Sequence, residues 1–372
     1  MNDLKTLIIH DQMLTKGGSE RVFTYLTDIY PDADLFTLSY NNKSSLDFRR
    51  SNDLKVSKIF NFLIRNSSTF KFFFPITTYY FQFKNFNDYD LIISSSATCA
   101  KYIRNFSGKH ICYCYVPTRA IWEVDNYFPK SSIVKTIFKF LLPYFKSRDL
   151  KTSKYIDLYI GDSKDAARRI KKIYSKKTTY AYSPIDFDKY SKFFSNSKED
   201  FYLVVSRLDY WKRVDIAVDA FNINGRKLII VGTGEAYNSL KKKAKNNITF
   251  LTNVSDSELG NLFSRAKGVV FTPSIEHGLI PIEANACGTP VIGYGFGGVL
   301  DTMINYNGKN DDSATAVFFK EQNGQSINEA LKIFESIDFN HKNIQKNAER
   351  FSINNFDKKI RKIVGKCFEN DS

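Results

Sequence analysis

Two permanent cations in the second half of the chain have the spacing of an anion-binding loop. Arg207 and Lys212, with four residues between them, follow the apolar run 201–205. An apolar run followed by a short polar segment predicts a buried strand and a loop, the place where parallel α/β sheets bind ligands. A guanidinium and an ammonium suit a diphosphate, because one is a planar fork and the other a point charge.

A second segment, residues 274–292, shows the same order of strand, loop and helix. Gly278 precedes Pro281, and proline is well tolerated in the first turn of a helix. The free N–H groups and positive dipole of that helix would point at the same anion. We place Glu283 in the first turn, where its carboxylate can accept hydrogen bonds from two vicinal hydroxyls. Together these groups describe a site for a sugar or ribose attached to phosphate.

Each of these residues has an ordinary structural explanation when taken alone. An isolated Arg or Lys is more often a solvated surface charge, and a Glu early in a helix usually caps it or complements its dipole. The order and spacing of the whole set favour the binding site over these alternatives.

The donor half of the family 4 retaining nucleotide-sugar glycosyltransferases resembles this part of the chain. The resemblance is carried by Arg207 and Lys212, then Gly232-Thr233-Gly234-Glu235, then the segment from Glu276 to Glu283 that continues into Ala286-Cys287-Gly288-Thr289-Pro290. It implies the α/β fold called GT-B, in which two Rossmann-like domains face each other across a cleft. The expected domains are 1–182 for the acceptor, 183–347 for the donor and 348–372 as a helix crossing back to the first domain.

Two segments of the first half narrow the resemblance to bacterial O-antigen and capsule mannosyltransferases. They are Ser94-Ser95-Ser96, and Tyr115-Val116-Pro117-Thr118-Arg119. In that branch histidines occupy the positions of Tyr115 and Ala97, and threonine the position of Val116. Tyr115 can donate one hydrogen bond, but it cannot take up a proton near neutral pH as imidazole can. These departures leave the identity of the transferred sugar open.

The resemblance implies roles for sixteen residues and a reaction without a metal. The catalytic residues would be Arg207, Lys212, Glu276 and Tyr115. The donor contacts would be Gly17, Gly18, Gly234, Asn253, Val254, His277, Gly278, Leu279, Ile280 and Glu283. Contacts to the acceptor or the sugar would be Arg119 and Ser96. Glu276 and Glu283 have six residues between them where the family usually has seven, so the role of Glu276 depends on a shortened loop. Fixed cations would replace the magnesium that other glycosyltransferases hold with paired aspartates.

The reaction implied is transfer of a hexose, with mannose as the first candidate, to a hydroxyl of a glycan with the anomeric configuration kept. The co-substrate would be a GDP-sugar first and a UDP-sugar second, and no separate cofactor is expected. The acceptor would be lipid-linked, in the synthesis of bacterial surface polysaccharide. Two alternatives stay open: a phosphorylase, which needs a lysine-bound pyridoxal phosphate, and a nucleotide-sugar-binding partner protein without catalysis.

Composition sets the outer limits of these hypotheses. A chain of 372 residues with 43% hydrophobic content has room for two domains. The net charge of +15 indicates an acidic partner such as phosphates or an anionic membrane surface. Nucleic acid is the rival, but the chain contains no recognisable nucleic-acid-binding motif. No leader or membrane-spanning stretch is visible, so we expect a cytoplasmic protein that is peripheral at the inner face of the membrane.

The segment from Phe60 to Phe86 has an unusual composition. It holds eleven aromatic residues among 27 and no acidic residue. One interpretation is a basic, aromatic surface that lies in the headgroup region of a membrane. The other is that most of these rings belong to the core of the first domain. Five cysteines, an odd number without metal-ligand spacing, predict free buried thiols.

Overall fold

The chain divides into two compact units. The computed structural model describes residues 4–15, 17–42, 48–124, 133–274, 277–309 and 311–369. The first unit comprises Met1–Ser183 and Phe356–Ser372, and the second comprises Pro184–Asn355. The first junction lies one residue after the predicted boundary, and the returning segment begins at Phe356 instead of residue 348.

The first unit is built on a parallel sheet of seven strands in the order β3-β2-β1-β4-β5-β6-β7. The strands are β1 Thr6–His10, β2 Asp34–Thr37, β3 Leu54–Val56, β4 Leu91–Ser96, β5 Lys109–Cys114, β6 Leu158–Gly161 and β7 Thr178–Tyr180. The described helices are Gly18–Ile29, Lys58–Leu63, Ser67–Phe83, Arg119–Trp122, Ile133–Ser153 and Lys164–Tyr174. The C-terminal helix Ile353–Glu369 belongs to this unit from Phe356 onward. Strands β1 and β4 are buried along their whole length, as a parallel sheet covered on both faces requires.

The second unit has a parallel sheet of six strands in the order β10-β9-β8-β11-β12-β13. The strands are β8 Glu199–Val205, β9 Leu228–Val231, β10 Ile248–Leu251, β11 Ala266–Phe271, β12 Val291–Tyr294 and β13 Ala316–Phe319. The helices are Phe187–Ser191, Val214–Asn224, Tyr237–Lys243, Asp256–Arg265, Leu279–Ala286, Val299–Thr302, Gly324–Phe334 and His341–Glu349, with a 3₁₀ helix at Tyr210–Lys212. The strand order reverses between β8 and β11, and ligands of such sheets bind outside the carboxyl ends of the strands at that point.

The C-terminal helix completes the core of the first unit. Its apolar face, formed by Phe356, Ile360, Ile363 and Val364, is buried with side chains of β1, β2, β4 and β5. The guanidinium of Arg361 also donates to the carbonyl oxygen of Ile29 at 2.7 Å. The last helix of the chain is therefore a structural part of the first unit.

The aromatic segment 60–86 divides between the two interpretations. Five of its rings are buried in the first unit: Phe60, Phe70, Phe74, Phe81 and Phe86. Three are exposed: Phe62, Phe72 and Phe83. The remaining rings, Phe73, Tyr79 and Tyr80, are half-buried. Helical phase separates the groups, because neighbours in sequence point to different sides of the helix Ser67–Phe83.

All five cysteines are free, and four of them are buried. Within the ranges that the structure describes, no helix has both the length and the apolar character to cross a bilayer.

Candidate functional site

The two stretches that the sequence singles out meet at the switch point of the second sheet. Strands β8 and β11 pair in parallel, so the loops after Val205 and Phe271 leave the same edge of the sheet. The hydroxyl of Thr272 donates to the carbonyl oxygen of Lys212 at 2.8 Å. This bond ties the loop that carries the cations to the loop that leads into the helix Leu279–Ala286.

The two cations are held by residues of their own loop. The Arg207 side chain is 62% exposed, and its guanidinium lies 3.2 Å from the carboxylate of Asp209. The ammonium of Lys212 lies 4.0 Å from the centre of the Trp211 ring, a cation–π distance. Arg213, next in the chain, has a left-handed backbone with φ of 55°. This conformation turns the chain sharply between the 3₁₀ helix and the helix Val214–Asn224.

The loop after β9 supports the path of the cation loop. The N–H of Leu208 donates to the carbonyl of Thr233, and the N–H of Ala236 donates to the carbonyl of Leu208, both at 2.8 Å. A Cβ atom on Gly234 would lie 2.6 Å from the carbonyl carbon of Leu208. Gly234, predicted to contact the donor, is therefore required as glycine by packing against the backbone that follows Arg207.

The helix Leu279–Ala286 begins as predicted, but Glu283 lies further along it than predicted. Gly278 is its N-cap, and the cap residue makes no side-chain hydrogen bond to the helix. A Cβ atom on Gly278 would lie 2.6 Å from the ring of Phe271, so close packing requires glycine there. Pro281 is the third helical residue and Glu283 the fifth, and no acidic residue lies in the first turn. The prediction that placed Glu283 in the first turn is wrong, because the helix starts two residues before the proline.

The other residues of this segment that were predicted to contact the donor differ in their burial. Leu279 and Ile280 are the first two helical residues and are half-buried. Glu283 is only 1% exposed. His277 is half-buried, with its ring centre 6.5 Å from that of Phe351. Glu276 lies outside the described residues, so its predicted role stays a prediction.

The predicted nucleobase contacts follow β10. Asn253 is exposed and has a left-handed backbone with φ of 55°, a conformation that Asn adopts more readily than most residues. Val254 is half-buried, and Ser255 then caps the helix Asp256–Arg265 with a reciprocal bond to Glu258. The turn at Asn253 therefore fixes where the main chain between β10 and this helix points.

At the switch point of the first sheet, a buried carboxylate organises the loop after β4. Asp11 follows β1, and its carboxylate accepts four backbone N–H bonds at 2.7–2.8 Å from residues 97–100. The hydroxyl of Ser96 donates to the same carboxylate at 2.9 Å. Ser96, predicted to contact the acceptor or sugar, is fully buried and has a supporting role in this structure.

Tyr115 connects the start of the helix Gly18–Ile29 to the sheet of the first unit. Its hydroxyl lies 2.9 Å from the carbonyl oxygen of Ser19, to which it donates, and 2.8 Å from the hydroxyl of Ser95. The Nδ1 atom of His10 lies 3.0 Å from the same Ser95 hydroxyl. Burial raises the pKa of Tyr115 well above its ordinary value, so the phenol stays protonated. The hydroxyl proton of Tyr115 is thus engaged in a hydrogen bond to Ser19 within the first unit.

Gly17 and Gly18 lie beside a second buried acid. Gly17 is the N-cap of the helix Gly18–Ile29, and Glu20 in the first turn is 4% exposed. The Glu20 carboxylate accepts the hydroxyls of Thr15 and Ser19 at 2.7 and 2.8 Å. A Cβ atom on Gly17 would collide with this carboxylate, so a larger residue there would displace Glu20 from its bonds to Thr15 and Ser19.

Arg119 lies in an ion-pair cluster of the first unit. Its Nε atom is 4.0 Å from the carboxylate of Glu123, which also pairs with Arg169 at 2.8 Å. The carboxylate of Asp165 joins this cluster, 2.8 Å from the Nε atom of Arg169. The predicted contact of Arg119 with an acceptor or sugar is not tested by this geometry and stays a prediction.

A family model matches the second unit almost from end to end. Residues 186–351 match the glycosyl transferases group 1 family. The second unit is therefore similar to a group 1 glycosyltransferase domain. The family resemblance predicted from the sequence is thereby confirmed at the level of this domain, which contains both loops of the switch point between β8 and β11.

Several mannosyltransferases are similar in sequence to a larger part of the chain than this domain alone. The alpha-1,3/1,6-mannosyltransferase ALG2 of Saccharomyces cerevisiae is 25% identical over 346 residues, which cover 76% of this chain and 68% of that protein. ALG2 of Candida glabrata is 19% identical, over 64% of this chain and 62% of its own length. The O-antigen chain mannosyltransferase RfbU of Salmonella typhimurium is 29% identical, over 45% of this chain and 48% of its own length.

Solved structures of similar fold cover both units. HepE of Anabaena, crystallised with UDP, is 16% identical with a TM-score of 0.68, over 98% of this chain and 100% of that one. Sucrose-phosphate synthase of Thermosynechococcus elongatus is 14% identical with a TM-score of 0.71, over 98% and 100%. At such identities the comparison establishes the fold alone. The predicted fold class, GT-B with two Rossmann-like domains, is confirmed.

Proposed function

We propose that the protein transfers a hexose, mannose first, from a nucleoside diphosphate sugar to a hydroxyl of a glycan with retention of the anomeric configuration. The observation that carries the proposal is the bond from Thr272 to the main chain of Lys212. It fixes the cation loop beside the loop that ends at Gly278, so a cationic loop and a helix start without a side-chain cap belong to one edge of the sheet.

The cations and the helix start would stabilise the departing diphosphate. Departure of the nucleoside diphosphate builds negative charge on phosphate oxygens, and preorganised donors there stabilise the transition state. In the proposal, phosphate replaces Asp209 as the partner of Arg207 and draws Lys212 from the face of Trp211. The N–H groups of Leu279 and Ile280, at the positive end of the helix dipole, would donate to the same phosphate. The reaction would be of the family 4 type and would use no metal.

The nucleoside and sugar would be recognised by the remaining donor residues of the second unit. Glu283 would accept the vicinal hydroxyls of the ribose, Glu276 and His277 would lie near the sugar, and the main chain at 253–254 would contact the base. The similarity to the mannosyltransferases ALG2 and RfbU supports mannose, for which GDP is our first choice of nucleoside diphosphate. The UDP and UDP-glucose complexes of HepE support a UDP-sugar as the second.

We further propose that the acceptor is a lipid-linked glycan in the synthesis of bacterial surface polysaccharide, O-antigen or capsule. The chain would then act as a peripheral protein at the inner face of the cytoplasmic membrane. The O-antigen relative and the net charge of +15 support this part of the proposal. Gly17 and Gly18 of the first unit would add backbone contacts to the donor phosphate, and Tyr115, Ser96 and Arg119 would act near the sugar or acceptor.

Ligand-induced stabilisation followed by mutation tests the donor site. Thermal unfolding with GDP, UDP, ADP and their sugars should identify one preferred nucleotide, because binding to the folded state raises stability by mass action. With that donor, Lys212→Ala and Glu283→Gln should each lower the rate of transfer by about 100-fold or more. Lys242→Ala, an exposed lysine of the same unit, is the matched control and should retain full activity.

Near-normal turnover in both site variants would contradict the scheme. EDTA treatment tests the metal-free reaction separately: transfer should continue at an unchanged rate, and a loss that magnesium restores would reject it.

One observation favours a second candidate, a nucleotide-sugar-binding partner protein without catalysis. The hydroxyl of Tyr115 is already bonded to Ser19 and Ser95, at the position where the resembling enzymes have a histidine. Donor binding without transfer to any acceptor of a panel, and without slow donor hydrolysis, would favour that candidate.

A further inference from the structure

The helix Ser67–Phe83 is apolar on two opposite sides. One side is buried in the first unit and carries Phe70, Phe74 and Phe81, none more than 5% exposed. The opposite side carries Phe72, Ile76 and Phe83, which are 78, 55 and 74% exposed. Positions 72, 76, 79 and 83 are spaced by four, three and four residues, so they form one stripe along the helix. An amphipathic helix packed on a core would carry polar residues there.

Neighbouring helices widen this stripe. Phe140, Leu141 and Tyr144 of the helix Ile133–Ser153 are 85, 41 and 51% exposed. The two helices pack together, because the hydroxyls of Tyr79 and Tyr144 are in contact and the rings of Phe74 and Phe145 are 6.4 Å apart. In the helix Lys58–Leu63, Ile59 and Phe62 are 67 and 70% exposed. This helix packs beside the helix Ser67–Phe83, since the ring centres of Phe60 and Tyr80 are 5.2 Å apart.

The exposed charged residues that these helices carry are all basic. Residues 60–86 contain no Asp or Glu, and the single acidic residue of the helix Ile133–Ser153 is Asp149. Asp149 is 1% exposed, and its carboxylate accepts bonds from Tyr102, Trp122 and Tyr174. Arg65 and Lys139 are exposed on the same helices and the turn between them. The exposed surface of these helices is therefore apolar and aromatic, and the charged residues beside it, such as Arg65 and Lys139, are basic.

We propose that this aromatic face, made of Ile59, Phe62, Phe72, Ile76, Phe83, Phe140, Leu141 and Tyr144, enters the headgroup region of an anionic lipid bilayer. Aromatic and aliphatic side chains enter the boundary between headgroups and acyl chains, and nearby Lys and Arg attract anionic lipids. A second copy of the chain fits this face less well, because two acid-free basic surfaces would repel each other. The inference rests on the proposed function, since a lipid-linked acceptor is reached at a bilayer surface.

Vesicle binding by the full chain tests the proposal. The probe is phosphatidylcholine vesicles with about 30 mol% phosphatidylglycerol, at low and at high salt. The triple variant Phe72→Ser, Phe83→Ser, Phe140→Ser should bind these vesicles at least about 100-fold more weakly, because three large apolar side chains no longer enter the interface. The matched control Ile223→Ser, Ile333→Ser removes side chains that are 76 and 47% exposed in the second unit, and its binding should not change.

Three results would overturn the proposal: no vesicle binding by the unchanged chain, equal binding by the triple variant, or equal loss in the control. A dimer that the triple variant dissociates, with vesicle binding unchanged, would assign the face to a second copy instead. The thermal unfolding temperature verifies that the triple variant is folded. Donor-induced stabilisation and donor hydrolysis without vesicles should be the same in the triple variant and the unchanged chain. Their absence from both would refute the proposed function while leaving the membrane face supported.

Discussion

Replacement of Asp11 by Asn should destabilise the first unit strongly without changing the size of the side chain. One carboxylate oxygen accepts the N–H groups of Ala97 and Thr98, and the other accepts those of Cys99 and Ala100 together with the Ser96 hydroxyl. An amide keeps one accepting oxygen and presents an NH₂ group where the second was. At least two backbone N–H groups then lose their acceptor and face another donor.

The size of the effect follows from these contacts. A buried donor left without an acceptor costs about 1–3 kcal/mol, and hydrogen bonds to a charged group are stronger than bonds to a neutral one. Two lost bonds and three weakened ones give about 4 kcal/mol for Asp11→Asn. Urea unfolding, followed by a probe of the first unit such as Trp122 fluorescence, measures the change in the free energy of unfolding.

Asp90→Asn is the matched control for this measurement. Asp90 is exposed, and its carboxylate accepts one backbone bond, from Lys5 at 2.8 Å. We expect a change below about 1 kcal/mol there. Equal destabilisation by the two substitutions would refute the conclusion that the Asp11 carboxylate organises the loop after β4.

Two further predictions concern the pH dependence of stability and the link between the two loops of the second unit. Burial lowers the pKa of His110 to about 3, while the unfolded chain binds the same proton near pH 6.5. As the pH falls between these values, the unfolded state takes up a proton that the folded state does not, so His110 should lower the free energy of unfolding by about 1.4 kcal/mol per pH unit. His110→Gln should remove this slope from denaturant unfolding measured between pH 6 and pH 4, and an unchanged slope would contradict the assignment. Thr272→Val should lower stability by about 1 kcal/mol and weaken donor binding in calorimetry by about 5-fold, because the bond to Lys212 is lost. Thr272→Ser keeps that bond and should bind as the unchanged chain does; equal binding by the Val variant would refute the linking role of the bond.

The chemistry-bearing loops of the second unit could be predicted because their signals are local. Buried strands of a parallel sheet appear as apolar runs, and residues 201–205 of β8 and 268–271 of β11 form such runs. Glycine and proline then mark the turn and the helix start. The position of Glu283 was wrong because proline is compatible with each of the first three helical positions, and the sequence does not indicate which one Pro281 occupies.

Asp11 was not predicted, because nothing near it in sequence indicates its role. Its partners are 85–89 residues away in the chain, and only the pairing of β1 with β4 brings them together. A polar residue directly after a buried strand is a weak signal for such a position. The divided aromatic segment was ambiguous for a related reason: composition gives the number of rings, while helix phase decides that Phe72 is exposed and Phe74 is buried.

The dependence of the first unit on the last helix has a consequence for synthesis on the ribosome. The apolar surface that receives Phe356, Ile360 and Val364 is translated in the first half of the chain, but its cover is made last. The apolar surface of the first unit therefore stays uncovered while residues 184–355 leave the ribosome and have time to fold. The first unit thus completes its core only after the second unit has been translated, and chaperones can act on its open apolar surface during that interval.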